Sequence, residues 1–272
     1  MKQNEHESNL PTSTINRRAF VKSVGFTGLG VAGAAIVGSK FGAKEQKVSA
    51  ASGVSDADIL NFALNLEYLE AEFYSMACYG AGLVKRGILK SSDETGPTTG
   101  GARIQNFGTV AYQAGALRET EQEHVLFLRS ALGAGAAKKP AINLDALGYG
   151  FSSLDSFLKL ARQFEDVGVS AYLGAAQLIS SSAYLAAAGA ILATEAQHSG
   201  AIRAICIMRG VASPAVDSHD VPPTSSHPYD VDNNGLSIPR TTSQVLNIVY
   251  GGGKCSGGFY PDGMNGEIVC QS

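Results

Sequence analysis

Four stretches of this 272-residue chain repeat one arrangement, an apolar stripe at helical spacing with glutamate at its centre. The first covers residues 55–79, contains neither Gly nor Pro, and opens with Ser55 and Asp58 in capping-box relation. Its stripe is Leu60, Ala63, Glu67, Glu70, Tyr74 and Ala77. The second, expected over residues 103–132, reads Val110, Ala114, Leu117, Glu121, His124, Leu128 and Ala131, with Glu119 and Glu123 off the stripe on a solvated side. The third, residues 154–179, reads Leu154, Leu158, Ala161, Glu165, Gly168, Tyr172, Ala175 and Ile179. After a turn at 180–182, the fourth reads Tyr184, Ala188, Ile191, Glu195, His198, Ile202 and Ile205, and Gly210 stops it. Spacings that alternate three and four mark helix faces turned to a core. All four helices therefore place acid in the middle of an apolar face.

An isolated ionised carboxylate in a low-dielectric interior shifts its pKa and neutralises. Four or five at one level call for compensating cations, the alternative being a metal-free buried hydrogen-bond network. Glu121 with His124, and Glu195 with His198, are each three residues apart and project from one side of their helices, close enough to share a metal ion. Two divalent ions would offset the charge of Glu67, Glu121, Glu165 and Glu195, and the two imidazoles would complete the set.

One Glu from each of two helices and Glu-x-x-His from each of two others resembles the ferritin-like di-iron carboxylate proteins, in the order found in bacterioferritins and rubrerythrins. The resemblance implies an all-α fold, an antiparallel four-helix bundle with a long crossover between the second and third helices. That crossover falls on the Gly-, Lys- and Pro-containing segment before Ser153. It also implies that Glu121 and Glu195 bridge two iron ions, manganese being the other metal open. Glu67, His124, Glu165 and His198 would be terminal ligands, and the four central glutamates would carry the catalytic chemistry. Glu70 departs from the pattern: an extra acid in the stripe is reminiscent of rubrerythrin, which implies peroxide reduction, and its two readings are a seventh metal ligand or a hydrogen-bond partner behind the ligands. Tyr74 and Tyr172, each seven residues after a single Glu, read as core aromatics, with redox relays as the alternative. The run Leu64-Asn65-Leu66-Glu67-Tyr68-Leu69-Glu70-Ala71-Glu72-Phe73-Tyr74 is similar to the ferritin-like proteins related to plant desiccation-associated proteins. The stretches Val245 to Gly252 and Gly263 to Gly266 are similar to the same group.

Residues 1–50 read as an address. Arg17-Arg18-Ala19-Phe20-Val21-Lys22 resembles a twin-arginine signal, the Gly- and Ala-rich stretch after it is short and weakly apolar, and Val48-Ser49-Ala50 offers small residues for cleavage. Cleavage implies a periplasmic or extracellular protein delivered by the twin-arginine machinery; an uncleaved anchor is the rival. The body after Ala50 carries 14 Lys/Arg against 21 Asp/Glu, which excludes nucleic acid as a natural partner. In an oxidising compartment Cys255 and Cys270 are the natural local pair, while Cys78 and Cys206 form a second bridge or stay buried thiols.

The domain reading is a signal over 1–50, the bundle over 51–210, and a Pro- and Gly-rich tail over 211–272 packed on it. His219 and His227 belong to surface loops, and Gly251-Gly252-Gly253-Lys254 lacks phosphate-loop spacing and reads as a turn. Three functions follow: an exported di-iron enzyme of ferroxidase or peroxidase type acting on dioxygen or peroxide, a non-catalytic stress-protection or metal-buffering protein, and a dimanganese catalase. The long insertions speak against a closed storage shell and leave a smaller homo-oligomer open.

Overall fold

A computed structural model describes residues 53–271; the twin-arginine motif and the cleavage position after Ala50 lie outside the described residues. Four long helices form the body: α1 (Asp56–Tyr79), α2 (Ala111–Leu132), α3 (Leu154–Ala176) and α4 (Ser182–Arg209). Helix α1 packs mainly along α2, and α3 along α4, giving a mostly helical bundle. No helix among the described residues is long and apolar enough to cross a membrane.

The start of α1 follows its sequence. Asp58 N donates to Ser55 Oγ and Ser55 N donates to Asp58 Oδ2 at 2.8 Å, satisfying two otherwise orphaned amides. The second helix begins eight residues later than its sequence pattern suggests. Ile104 is buried and spends its amide on Ala77 O, 2.8 Å away at the end of α1, which holds that segment out of helical geometry. Helix α3 ends three residues early at Ala176, although Ile179 still packs into the core.

Burial departs most from expectation on α1. Instead of one buried stripe, the helix is covered all round from Ile59 to Ser75, and α3 is nearly as enclosed. A helix apolar on every side needs such a sheath. The two long connections supply part of it, joining through two-residue parallel strands that the sequence reading did not anticipate, β1 (Thr98–Thr99) and β2 (Ile142–Asn143). Lys139 locks them: its buried ammonium donates to Gly96 O at 2.9 Å and pairs with Glu94 at 3.2 Å.

The tail supplies the rest. Its helix α5 (Thr242–Val249) buries Val245, Leu246 and Val249, and Tyr250, Phe259, Tyr260 and Met264 join the same core. Asn65, fully buried on α1, donates to Asn265 O at 2.8 Å and accepts from Asn265 N at 3.1 Å, while Tyr260 OH donates to Asn65 O at 2.7 Å. On α3, Gly174 lets the tail cross: a Cβ there would lie 1.9 Å from Arg240 O. Cys255 and Cys270 form a disulfide. Cys78 and Cys206 are free thiols, so the second bridge does not form.

Buried ion pairs fix residues 211–230 to α3 and α4. Arg162 holds Asp220 through both carboxylate oxygens at 2.6 and 2.7 Å, and Arg203, paired with Asp166 of α3 at 2.6 Å, donates to Val221 O and Pro228 O, each at 2.8 Å. The enclosed helices α1 and α3 contrast with α2 and α4, whose outer sides face solvent. That asymmetry determines which side chains of the central Glu/His cluster lie near the surface.

Candidate metal centre

Glu67 comes from α1, Glu121 and His124 from α2, Glu165 from α3, and Glu195 and His198 from α4. The four carboxylates are fully buried, whereas His124 and His198, on the two outward helices, retain 9% and 7% exposure. The imidazoles lie 6.0 Å apart between ring centres.

Each histidine turns Nδ1 inward. His124 Nδ1 is 3.2 Å from Glu67 Oε2, 3.3 Å from Glu121 Oε2 and 3.2 Å from Glu195 Oε1. His198 Nδ1 is 2.8 Å from Glu121 Oε1 and 3.3 Å from Glu165 Oε2. The side chains fall into two groups, Glu67, Glu121, His124 and Glu195, and Glu121, Glu165, Glu195 and His198, each with one ligand atom per residue within 4.8 Å of the others. Glu121 and Glu195 belong to both, as bridging carboxylates must.

The bonding inventory tests whether metals fit. Both oxygens of Glu121, both of Glu195, Glu165 Oε2 and His198 Nδ1 are buried without a hydrogen-bond partner. Several nevertheless lie at ion-pair distance from one another, so proximity and bond geometry disagree. The contacts of Glu121 and Glu195 with the imidazoles are ion pairs whose angles do not make hydrogen bonds, so these acceptors are left without a donor. Orphaned buried acceptors are costly. A divalent cation bound by carboxylate and imidazole satisfies them, so the residues fit two such ions.

Electrostatics agree. Burial, opposed by His124, pushes Glu67 up to about 7. Glu195 and Glu70 rise well above the carboxylate range through burial and their acidic neighbours, and Glu165 rises chiefly through burial. Glu121 escapes: burial would raise it, yet the imidazoles at its two oxygens hold it down at about 2. The histidines work against burial in the same way, with the carboxylates raising His198 to about 11 and His124 further. Without metal the cluster is held together by retained protons.

A surrounding set of hydroxyls orients the side chains of the cluster. Tyr172 OH of α3 donates to Glu67 Oε1 of α1 at 2.5 Å, and reciprocally Tyr74 OH of α1 donates to Glu165 Oε1 of α3. The two tyrosines are core aromatics that anchor ligands across the bundle, and the shared seven-residue offset from Glu produces the reciprocity. Thr120 was not singled out by pattern; its Oγ1 lies 2.8 Å from His198 Nε2. Only its position beside Glu121 could have drawn attention to it.

Glu70 is buried within the electrostatic reach of the cluster but belongs to neither four-residue group. Its Oε1 and Glu195 Oε2 both point toward Gly168, where a Cβ would sit 3.2 and 2.8 Å from them. Glycine inside a helix costs about 1 kcal/mol relative to alanine, and here it leaves room beside the acids. Glu119, Glu123, His219 and His227 are exposed. A third acidic group, Asp166, Asp220 and Asp230, is interleaved with Arg162 and Arg203 and reads as an ion-pair network.

Residues 55–207 match the family model described as a ferritin-like domain. No curated protein matches the chain.

Proposed function

We propose a function on the premise that the chain belongs to the ferritin-like domain family, whose model covers more than half of its length: it is an exported dinuclear metal oxidoreductase, most simply di-iron, reacting with dioxygen or peroxide. The observation that carries this reading is the pair of converging Glu/His groups that share Glu121 and Glu195, whose four buried carboxylate oxygens have no hydrogen-bond donor.

Glu67 and His124 would complete one metal position, and Glu165 and His198 the other. Two redox-active ions held there would supply electrons to an oxygen-containing oxidant. The chain's own residues do the rest. Tyr172 and Tyr74 occupy one oxygen each of Glu67 and Glu165, leaving the other oxygen to face inward. Complete burial of the carboxylates excludes bulk water. Glu70, kept protonated by burial and by Glu195, is placed to give or take a proton at its carboxyl beside the bridging acid.

The twin-arginine-like motif supports export, and the Cys255–Cys270 disulfide suits an oxidising compartment. The similarity to desiccation-associated proteins supports a stress role. The outward side of α4, where Leu185, Ala186, Ala190 and Ala193 are exposed without an intervening charge, supports a homo-oligomer.

The test is oxidant consumption by protein loaded anaerobically with Fe(II). Turnover faster than free iron supports the enzyme; full metal binding with no acceleration assigns the chain to metal buffering. Peroxide disproportionation greater with manganese than with iron assigns it to the catalase class.

A further inference from the structure

A cavity of about 350 Å³ lies between α3, the crossover and the tail helix α5, lined by Leu147, Leu160, Phe164, Val216, Ile248 and Phe259 among others. Pockets that accept organic ligands span roughly 300–1,000 Å³, mostly apolar with a few polar groups. None of its lining side chains is Asp, Glu, Lys or Arg. Its central polar side chains satisfy each other: Tyr149 OH donates to Gln163 Oε1 at 2.7 Å, and Gln163 Nε2 donates to Pro214 O at 2.9 Å. An ion entering would lose hydration and find no opposite charge among the lining side chains. An uncharged apolar molecule would lose only unfavourable contact with water.

A second, much smaller cavity of about 20 Å³ adjoins it on the side of α1, bounded by Leu66, Leu69, Glu70 and Gly168. Phe164, Val167 and Val249 line both cavities. A single layer of side chains thus separates the outer cavity from the space beside Glu70, and Gly168 at its inner side faces Glu195 Oε2. The tail contributes Val249 to that layer and Ile248 to the outer wall, which gives its docking on the bundle a purpose beyond stability.

We propose that the outer cavity is a binding site for a neutral, predominantly apolar organic molecule, held one side-chain layer from the carboxylate cluster. Its adjacency to a metal centre rests on the dinuclear reading above; the binding itself does not. The inner cavity is too small for such a molecule, so the ligand acts on the cluster only through Phe164, Val167 and Val249.

The test is calorimetric titration of the metal-free full chain with naphthol and with naphthoate, which are similar in shape and differ in charge. Naphthol is expected to bind, with naphthoate weaker by about tenfold or more because its carboxylate finds no partner. Val216→Trp, at the half-buried rim, should abolish naphthol binding while leaving the helical circular dichroism intact, and Tyr149→Phe should retain it because that hydroxyl is already used by Gln163. In Co(II)-loaded protein, naphthol should shift the visible absorption bands. No naphthol binding, equal binding of naphthoate, or unchanged binding in a folded Val216→Trp variant overturns the site; binding without a band shift overturns the coupling to the cluster. Naphthol binding in a chain that takes up no Co(II) upholds the pocket and sinks the dinuclear reading instead.

Discussion

Thr120 Oγ1 on α2 lies 2.8 Å from His198 Nε2 on α4, and the same hydroxyl sits 3.1 Å from Ala116 O and 3.0 Å from Leu117 O of its own helix. The threonine hydrogen is engaged by those carbonyls, so its oxygen accepts from the imidazole. That assignment keeps a hydrogen on Nε2 in either charge state, so Nδ1, the atom that faces Glu121 and Glu165, is the nitrogen that gives up its proton when a metal binds. Thr120→Ala is expected to weaken metal binding by roughly tenfold, within the range of losses when a ligand's supporting hydrogen bond is removed. Thr120→Ser should restore it. Competitive Co(II) titration of the three proteins checks this, and equal affinities would remove the role.

Metal loading should expel protons. In the metal-free cluster, burial alone would strip both imidazoles of charge, but the carboxylates keep them protonated, His198 up to about 11 and His124 further. Burial also holds protons on Glu195 and Glu70 and raises Glu67 to about 7. Ligation requires neutral imidazole and ionised carboxylate. At pH 7.5, binding of two divalent ions should release at least about two protons per chain, measured with an indicator dye in weak buffer. Metal uptake without proton release would contradict the protonation pattern.

Asp230 is a testable weak point outside the Glu/His cluster. Burial first, then Asp166 and Asp220, raises its carboxyl to about 6, and its Oδ1 lacks a partner. For an acid with raised folded pKa, folding favours the protonated form. Stability is therefore undiminished below the unfolded value near 3.8, and the penalty develops as pH rises through 6. Asp230→Asn should stabilise the protein by about 1 kcal/mol at pH 7.5, after discounting for partial solvent access. The gain should vanish below pH 4. Thermal unfolding at both pH values decides it, and a gain independent of pH would contradict this account.

Asn65 ties the tail to α1 through buried bonds to Asn265, besides its bond to Asn61 O at 2.7 Å. Asn65→Ala leaves the Asn265 amide and carbonyl without that partner and should cost about 2–3 kcal/mol. Hydrogen exchange should quicken first around residues 260–266, where tail and helix separate. Uniform destabilisation with unchanged local exchange would show that this contact does not govern tail docking.

The four acidic stripes were legible because helical periodicity and the cost of buried charge act locally, so Glu67, Glu121, Glu165 and Glu195 could be placed at one level without coordinates. The same reasoning put Glu70 in the stripe but could not say that it stands outside both ligand groups, which depends on where α3 and α4 lie around it. Individual contacts outside the cluster escaped. Arg162 meets Asp220, Asn65 meets Asn265, and Thr98 pairs with Ile142 through proximity that no spacing encodes. The late start of α2 has a related cause, a tertiary bond from Ile104 to Ala77 that prevails over local helix preference.

Whether Glu121 and Glu195 jointly hold two metal ions is decided by anaerobic titration of the full chain with Fe(II). About two ions per chain are expected, with binding abolished when Glu121→Gln and Glu195→Gln are combined and the helical circular dichroism is preserved. A wild-type chain that binds no Fe(II), or a folded double variant that still binds two ions, would contradict joint binding.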